Sequence, residues 1–130
     1  MPTIRMAQYG TKHGHAAGKM VSMRQHPDVE VAGLYEPDQE RRAALEGADG
    51  PFQDVHWYDN KAQMLEDPSI VAIASEGCNA ESLDQTEEMV QAGKHVWYDK
   101  PAGDNWAQWQ RVAQKAQEDN LLIQMGYMFR

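Results

Sequence analysis

Three short segments contain the residue types and spacings that could support chemistry. The first, residues 10–18, follows an apolar run and begins Gly-Thr-Lys-His-Gly-His. A dinucleotide fingerprint, G-x-G-x-x-G, uses glycines at such a turn so that a pyrophosphate can approach the backbone and a helix N-terminus. Gly10 fits the first glycine position, whereas Lys12 and His15 occupy the other two. Gly14 restores backbone freedom and Lys12 offers a cation to a phosphate, but a loop that binds nothing fits the same pattern.

The second segment is Glu-Pro-Asp, which begins at Glu36 after another apolar run. A carboxylate at this place accepts hydrogen bonds from the adenosine ribose hydroxyls and repels a 2′-phosphate. It therefore favours NAD over NADP. A solvated turn acid explains the residue equally well. Arg41 and Arg42 follow and fit an exposed helix face.

The third segment, residues 93–101, is Gly-Lys-His-Val-Trp-Tyr-Asp-Lys-Pro. Its apolar part predicts a strand, and its polar residues leave at the carboxyl end of that strand. A lysine held there, Lys100, can donate to a substrate hydroxyl or carbonyl, or move a proton where burial lowers its pKa. An ordinary exposed lysine gives the same pattern.

A metal site and a nucleophilic thiol are both disfavoured. His13 and His15 are separated by one residue, but two imidazoles make an incomplete site and spacing identifies no third ligand. We therefore expect no metal. Cys78 follows an apolar run without an identifiable base, so an unreactive thiol is expected. As the only cysteine, it excludes an intrachain disulfide.

Short apolar runs alternate with amphipathic segments along the whole chain. We predict strands at 4–9, 29–35, 56–58, 70–74, 95–98 and 121–126, and helices at 16–25, 38–45, 60–66, 80–92 and 106–119. This alternation predicts a Rossmann-type, doubly wound α/β domain, mainly parallel, with helices on both faces of the sheet. Ligands of such a sheet bind beyond the carboxyl ends of the strands, where strand order reverses.

Helical spacing also predicts which faces are buried. In the first helix it selects Ala17, Met20 and Val21, with Arg24 as a further candidate. In the last helix it selects one stripe: Trp106, Trp109, Val112, Ala113 and Ala116. The unbroken apolar run at 70–74 is typical of a strand covered on both faces.

Size and charge exclude several classes of function. The chain has 130 residues, which fits one domain at 1–130. Its 20 acidic and 12 basic residues give a net charge of -8, which disfavours nucleic acid as a partner. No apolar run approaches the ~20 residues of a membrane span. The N-terminus lacks the apolar stretch of a secretory signal, so a cytoplasmic location is expected.

Several motifs together resemble the N-terminal half of the Gfo/Idh/MocA family, the glucose–fructose oxidoreductases and inositol dehydrogenases. That family carries a Gly-Lys-His-Val strand ending in Glu-Lys-Pro, which residues 93–101 match with Asp99 in place of Glu. Its second strand ends in an acid followed by Pro-Asp, as 36–38 do. Its fourth strand follows Asp-Pro and enters an Ala-Thr/Ser turn, as 67–75 do. It closes with Gly-Tyr-Met-x-Arg, as 126–130 do.

The resemblance implies hydride transfer between NAD(P) and a hydroxyl carbon of a sugar, cyclitol or related polyol. By motif, the pyrophosphate would be held by Gly10, Thr11, Lys12, His13, Gly14 and His15. Glu36 would hold the ribose and Ser75 the cofactor edge. Lys100 would serve the nicotinamide and the substrate as the catalytic residue, next to Asp99. Pro101 would aim Lys100, through the cis bond that this motif often has.

The chain also departs from the family pattern. The usual Thr-Pro-x-x-x-His turn is Ser-Glu-Gly-Cys-Asn-Ala-Glu-Ser at 75–82, without a histidine. Family enzymes have a C-terminal α/β domain that supplies substrate contacts, a catalytic histidine and the oligomer interface. We expect that domain to be absent here, so that the chain is a truncated part of an enzyme and is inactive alone. We also expect a homo-oligomer to form through residues 121–129 and the Trp106/Trp109 helix. The alternative is a non-catalytic nucleotide-binding, scaffold or interaction domain.

Overall fold

The computed structural model describes residues 3–126, which form one five-stranded sheet flanked by helices. The strands are β1 (Ile4–Tyr9), β2 (Val29–Tyr35), β3 (Ile70–Ser75), β4 (His95–Asp99) and β5 (Ile123–Gly126). The helices are α1 (Ala16–Gln25), α2 (Gln39–Leu45), α3 (Lys61–Leu65), α4 (Ser82–Gln91) and α5 (Trp106–Glu118). All strand pairs are parallel. The predicted Rossmann-type α/β class is therefore confirmed.

The strand order is β2-β1-β3-β4-β5, so the chain reverses direction across the sheet between β1 and β3. A crevice forms at the carboxyl ends of two strands that diverge in this way, and ligands of open α/β sheets bind there. The predicted search area, the first βα turn and the neighbouring strand ends, lies at this switch point.

The predicted strand at 56–58 is present only as a single parallel bridge and not as a strand of the sheet. The segment makes one isolated bridge, between Leu34 and Trp57, on the outer edge of β2. The Leu34 N–H donates to the His56 carbonyl at 2.8 Å. The pairing ends there, and Asn60 then begins the capping box of α3.

An irregularity in β3 decides which side chains face which helices. Val71 is the extra residue where the pairing with β1 shifts, and it is 42% exposed. The predicted cover on both faces is therefore incomplete at Val71. Beyond it, Ile73 joins the core on the α4 face and Ala74 the core on the α1 face. The alternation continues, so Ser75 faces α4 and Glu76 faces α1.

The predicted inner face of α1 is rotated. Its buried residues are Ala16, Lys19, Met20 and Met23. Met20 is confirmed, but Ala17 and Val21 are only half-buried, and Arg24 is exposed. The cause is Lys19, whose ammonium contacts two carboxylates beneath the helix and turns that position inward. Periodicity of apolar residues cannot detect an inward lysine.

The predicted stripe of α5 holds only in its second half. Val112 and Ala116 are buried, at 1% and 4% exposure, and Trp109 packs partly against the core. Trp106 is 70% exposed, so its predicted burial is wrong. It is the first residue of α5, directly after the N-cap Asn105, and the first turn extends beyond the packed part of the helix. None of the described helices is long and apolar enough to span a bilayer.

Candidate functional site at the switch point

The turns that follow β1 and β3 are locked together. Gly10 has a φ of +94°, and a Cβ atom built on it would lie 2.7 Å from the Gly77 nitrogen. The His13 N–H donates to the Glu76 carbonyl at 3.0 Å. Only glycine permits both the backbone conformation and the close approach at position 10. Gly10, at the first glycine position of the fingerprint, is therefore required by the backbone conformation and by the contact with Gly77.

Glu36 ties the end of β2 to the first turn. Its carboxylate is 1% exposed. Oε1 accepts from the Thr11 N–H at 2.9 Å and from the Thr11 hydroxyl at 2.5 Å, and Oε2 accepts from the Asp38 N–H at 3.0 Å. The Arg41 guanidinium donates to the Thr11 hydroxyl oxygen at 2.6 Å and to the Thr11 carbonyl at 2.9 Å. The carboxylate predicted to hold ribose is therefore already bound by protein donors.

Lys12 is paired with a carboxylate outside the turn. Its Nζ lies 3.1 Å from Asp38 Oδ2. Asp38 caps α2 by accepting from the backbone N–H groups of Glu40 and Arg41. The hydrogen bond to Asp38 raises the pKa of Lys12. The ammonium consequently bridges the first turn and the start of α2, where its charge remains partly exposed.

Three charged side chains form a buried ion cluster, Lys19, Glu76 and Asp99, beneath α1. They are 5%, 0% and 3% exposed. Lys19 Nζ lies 3.0 Å from Glu76 Oε2 and 2.7 Å from Asp99 Oδ2. The same ammonium lies 4.7 Å from the centre of the Trp97 ring. Sequence analysis missed Lys19 and Glu76, although a lysine one turn after His15 and an acid directly after β3 were available signals.

The two acids of the buried ion cluster titrate in opposite directions. Burial raises the pKa of Glu76 to about 9, and its hydrogen bond with Asp99 adds to the increase. Burial alone would raise the pKa of Asp99, but hydrogen bonds with Glu76, His15 and Lys19 lower it below its ordinary value. Burial and the shared hydrogen bond therefore favour the proton on Glu76 and the negative charge on Asp99, which faces the Lys19 cation.

The structure brings both histidines of the first turn to Asp99. His15 Nδ1 lies 2.9 Å from Asp99 Oδ1, and His13 Nδ1 lies 3.7 Å from Asp99 Oδ2. The His15 N–H donates to His13 Nδ1 at 3.0 Å. Spacing in the sequence could not pair these residues, because Asp99 comes from β4. Asp99 thus connects the first turn, through His13 and His15, to the other two members of the buried ion cluster.

The remaining predicted site residues do not join this group. Ser75 is buried on the opposite face of the sheet, where its hydroxyl lies 2.8 Å from Thr86 Oγ1 of α4. Lys100 is exposed in the turn after β4, and the Lys100–Pro101 peptide bond is cis. Lys100 and Asp99 are neighbours in sequence, but Asp99 points under α1 while Lys100 lies at the surface.

A cavity of about 400 Å³ opens between α1 and the ends of β4 and β5. Its wall includes His15, Lys19 and Asp99. A Cβ atom built on Gly14 or Gly18 would meet nothing within 4 Å, so this side of the loop before α1 and of its first turn is open. The volume lies within the range of small-molecule sites, roughly 300–1,000 Å³. These open glycines and the helix N-terminus are compatible with a phosphate-containing ligand.

A parallel sheet with a glycine turn at its switch point is the arrangement of doubly wound α/β domains, many of which bind dinucleotides. The sequence profile of the Gfo/Idh/MocA oxidoreductase family, described by its NAD-binding Rossmann fold, matches residues 4–127. The chain belongs to this family and is an NAD(P)-binding Rossmann domain. No curated protein matches the sequence significantly.

Solved structures share the fold at low sequence identity. A protein from Erwinia carotovora atroseptica, provisionally classed as an oxidoreductase, is 24% identical with a TM-score of 0.79, covering 95% of this chain and 36% of that one. An NAD-binding protein from Listeria innocua is 18% identical, also at 0.79, covering 96% and 34%. A Synechocystis biliverdin reductase, solved with biliverdin and NADP+, is 21% identical at 0.78, covering 94% and 37%. The chain spans about a third of the length of these proteins.

Proposed function

We propose that this domain binds NAD(P) for hydride transfer to or from a hydroxyl carbon of a sugar, cyclitol or related polyol. The observation that carries the proposal is the first βα turn, which lies at the switch point of a parallel sheet in a chain of this oxidoreductase family. Bound nicotinamide supplies the hydride donor or acceptor. The protein's part is to hold the ring and to accept or return the hydroxyl proton.

The proposed pyrophosphate position is the turn from Gly10 to His15, at the N-terminus of α1. The N–H groups of Gly10, Thr11, His13 and His15 already donate within the protein. A pyrophosphate would therefore depend on the amides of Lys12 and Gly14, on the helix dipole and on the Lys12 ammonium. Lys100 remains the proposed catalytic residue, because its exposed ammonium follows the end of a central strand.

A preference for NAD over NADP is supported by two carboxylates at the end of β2. Glu36 is held against Thr11, and Asp38 lies beside Lys12. A 2′-phosphate brought to this edge would meet both negative charges, and the neighbouring Lys12 and Arg41 cations offset part of that repulsion. Two ribose hydroxyls would not be repelled. Calorimetric titration with NADH and NADPH tests this preference. Equal or tighter binding of NADPH would refute it.

The charge of Lys12 gives a second test of the same site. Lys12→Ala should weaken dinucleotide binding, and more strongly at low salt, because exposed charges are screened by salt. Lys115→Ala is the matched control, since Lys115 also forms an exposed ion pair, 2.8 Å from Asp119 Oδ2, but on α5. A dissociation constant unchanged by Lys12→Ala at low ionic strength would show that this lysine points away from the ligand.

We further propose that the 130-residue chain alone does not turn over a polyol. Hydride transfer needs the nicotinamide, the substrate carbon and a base in one arrangement, and orientation alone is worth roughly 7–11 kcal/mol of barrier. In the family it resembles, a second domain supplies the substrate walls and a histidine. The assay is NADH production from inositol and glucose, with Lys100→Ala as control. Turnover by the native chain that Lys100→Ala abolishes would refute this proposal.

The second candidate is a non-catalytic nucleotide-binding or scaffold domain. Two observations favour it: Lys12 and His15 stand at glycine positions of the fingerprint, and the Glu36 carboxylate is committed to protein donors. The calorimetric titration separates a dinucleotide-binding domain from a scaffold domain. Binding of either dinucleotide excludes the scaffold role, whereas no binding of either favours it.

Self-association and a cytoplasmic location remain predictions. Trp106 is 70% exposed and Leu122 is 61% exposed, and β5 is an edge strand among the described residues. Exposed apolar side chains and an open strand edge favour pairing between chains. A light-scattering mass equal to one chain at high concentration would contradict self-association.

A further inference from the structure

Three potential metal ligands converge beside the cavity under α1. One ligand atom from each of His13, His15 and Asp99 lies within 4.8 Å of the other two. The two histidines come from the first turn and the aspartate from the end of β4. We propose that His13, His15 and Asp99 bind a divalent transition-metal ion of the zinc type. The proposal does not rest on dinucleotide binding, although His13 and His15 also belong to the turn proposed to hold the pyrophosphate.

The donor set determines the class of ion. Two imidazole nitrogens and one carboxylate oxygen suit Zn²⁺ and its neighbours Co²⁺ and Ni²⁺, whereas Mg²⁺ and Ca²⁺ prefer all-oxygen sites. Bonds of roughly 2.0–2.1 Å around a tetrahedral ion place its ligand atoms about 3.3 Å apart. The observed atoms must therefore approach by about 1.5 Å at most. The His15 side chain is 42% exposed and has room to make that adjustment.

Asp99 is built as the fixed member of the site. It is 3% exposed, and its Oδ2 lies 2.7 Å from the Lys19 ammonium. The charge of Lys19 holds the carboxylate from behind, as outer-shell groups hold metal ligands. Both carboxylate oxygens also face a histidine Nδ1 atom.

Two contacts oppose binding and set its strength. A metal bound to Nδ1 of His13 displaces the hydrogen bond that this nitrogen accepts from the His15 N–H. The Lys19 cation lies behind Asp99 and repels a second positive charge. The site is therefore expected to be weaker than a closed four-ligand zinc site. Three protein ligands also leave one position of a tetrahedral ion open, as in catalytic zinc sites.

The test is a titration of the untagged full chain, freed of metal by a chelator and without dinucleotide. Zn²⁺ is followed by calorimetry and Co²⁺ by its visible absorption. We expect one ion per chain. His13→Gln, His15→Gln and Asp99→Asn should each weaken binding by at least the 10–100-fold that loss of an outer-shell partner costs. His26→Ala, at an exposed histidine, and Cys78→Ser should leave the affinity unchanged.

Circular dichroism checks that each variant is folded. If Asp99→Asn, a change at a buried residue, does not fold, the two histidine variants still test the proposal. Absence of binding by the native chain overturns the proposal. So does binding that survives in both histidine variants, or that is lost with His26→Ala or Cys78→Ser. Because NADH is titrated separately, failure of the metal site leaves the proposed function standing, and the reverse also holds.

Discussion

Replacing Glu36 by glutamine tests whether this residue joins the end of β2 to the first turn. Glutamine keeps the shape, but it offers one acceptor oxygen and an NH2 group. Either the two Thr11 donors or the Asp38 N–H must then face that NH2 group. A hydrogen bond to a charged group contributes about 1.5–3 kcal/mol, and an unsatisfied buried donor costs about 1–3 kcal/mol. We expect Glu36→Gln to lower the free energy of unfolding by about 2–3 kcal/mol.

For a domain of this size, 1 kcal/mol corresponds to roughly 3–5 °C in Tm, so the expected decrease is roughly 6–15 °C. Thermal and urea unfolding, followed by circular dichroism without dinucleotide, measure it. Glu40→Gln is the matched control: this exposed acid lies in the first turn of α2, where its charge contributes less than about 1 kcal/mol. Equal stability of the two variants would refute the reasoning. Loss of NADH binding at unchanged stability would instead show that the carboxylate is free for ribose.

Three further changes separate structural from surface positions. Gly10→Ala should destabilise the fold by at least about 2 kcal/mol, because it places a side chain on a left-handed backbone and overpacks the contact with Gly77. Gly14→Ala, whose side chain would meet open space, should be nearly neutral. Urea unfolding midpoints compare the two variants, and similar midpoints would contradict the locked turns. Lys94 is 5% exposed, and its ammonium donates to two backbone carbonyls at 2.6 and 2.7 Å. We expect Lys94→Met to lower the free energy of unfolding by about 1–3 kcal/mol, and an unchanged urea midpoint would disprove this. Trp106→Ser should change stability by less than about 0.5 kcal/mol while reducing the light-scattering mass at high concentration; an unchanged oligomer would exclude this tryptophan from the contact.

The strands and helices were largely predictable because local signals mark their ends. The side chain of Asp38 caps α2 as predicted, and β1 ends immediately before Gly10. Where tertiary contacts dominate, prediction failed. The segment 56–58 has a strand-like composition but forms only one bridge before the N-cap at Asn60. The face of α1 is set by Lys19, an inward charge that apolar periodicity cannot register.

The candidate site was predictable only in its location. Switch-point logic places the turn at Gly10 and the ends of β3 and β4 at one edge of the sheet. The meeting of His15 with Asp99 depends on the face to which β4 directs Asp99, and the role of Glu76 depends on the phase of β3 after the bulge at Val71. The local sequence does not determine to which face of the sheet either side chain points. The ligand roles of these residues stay predictions.

The locked pair of turns has a kinetic consequence. The His13 N–H is hydrogen-bonded to the Glu76 carbonyl, and Gly10 is in close contact with Gly77. These contacts form one wall of the crevice without a ligand. A preorganised site loses little conformational entropy on association and needs no ordering step. Binding at this wall should proceed in one step, with an observed rate that rises linearly with ligand concentration and does not reach a plateau.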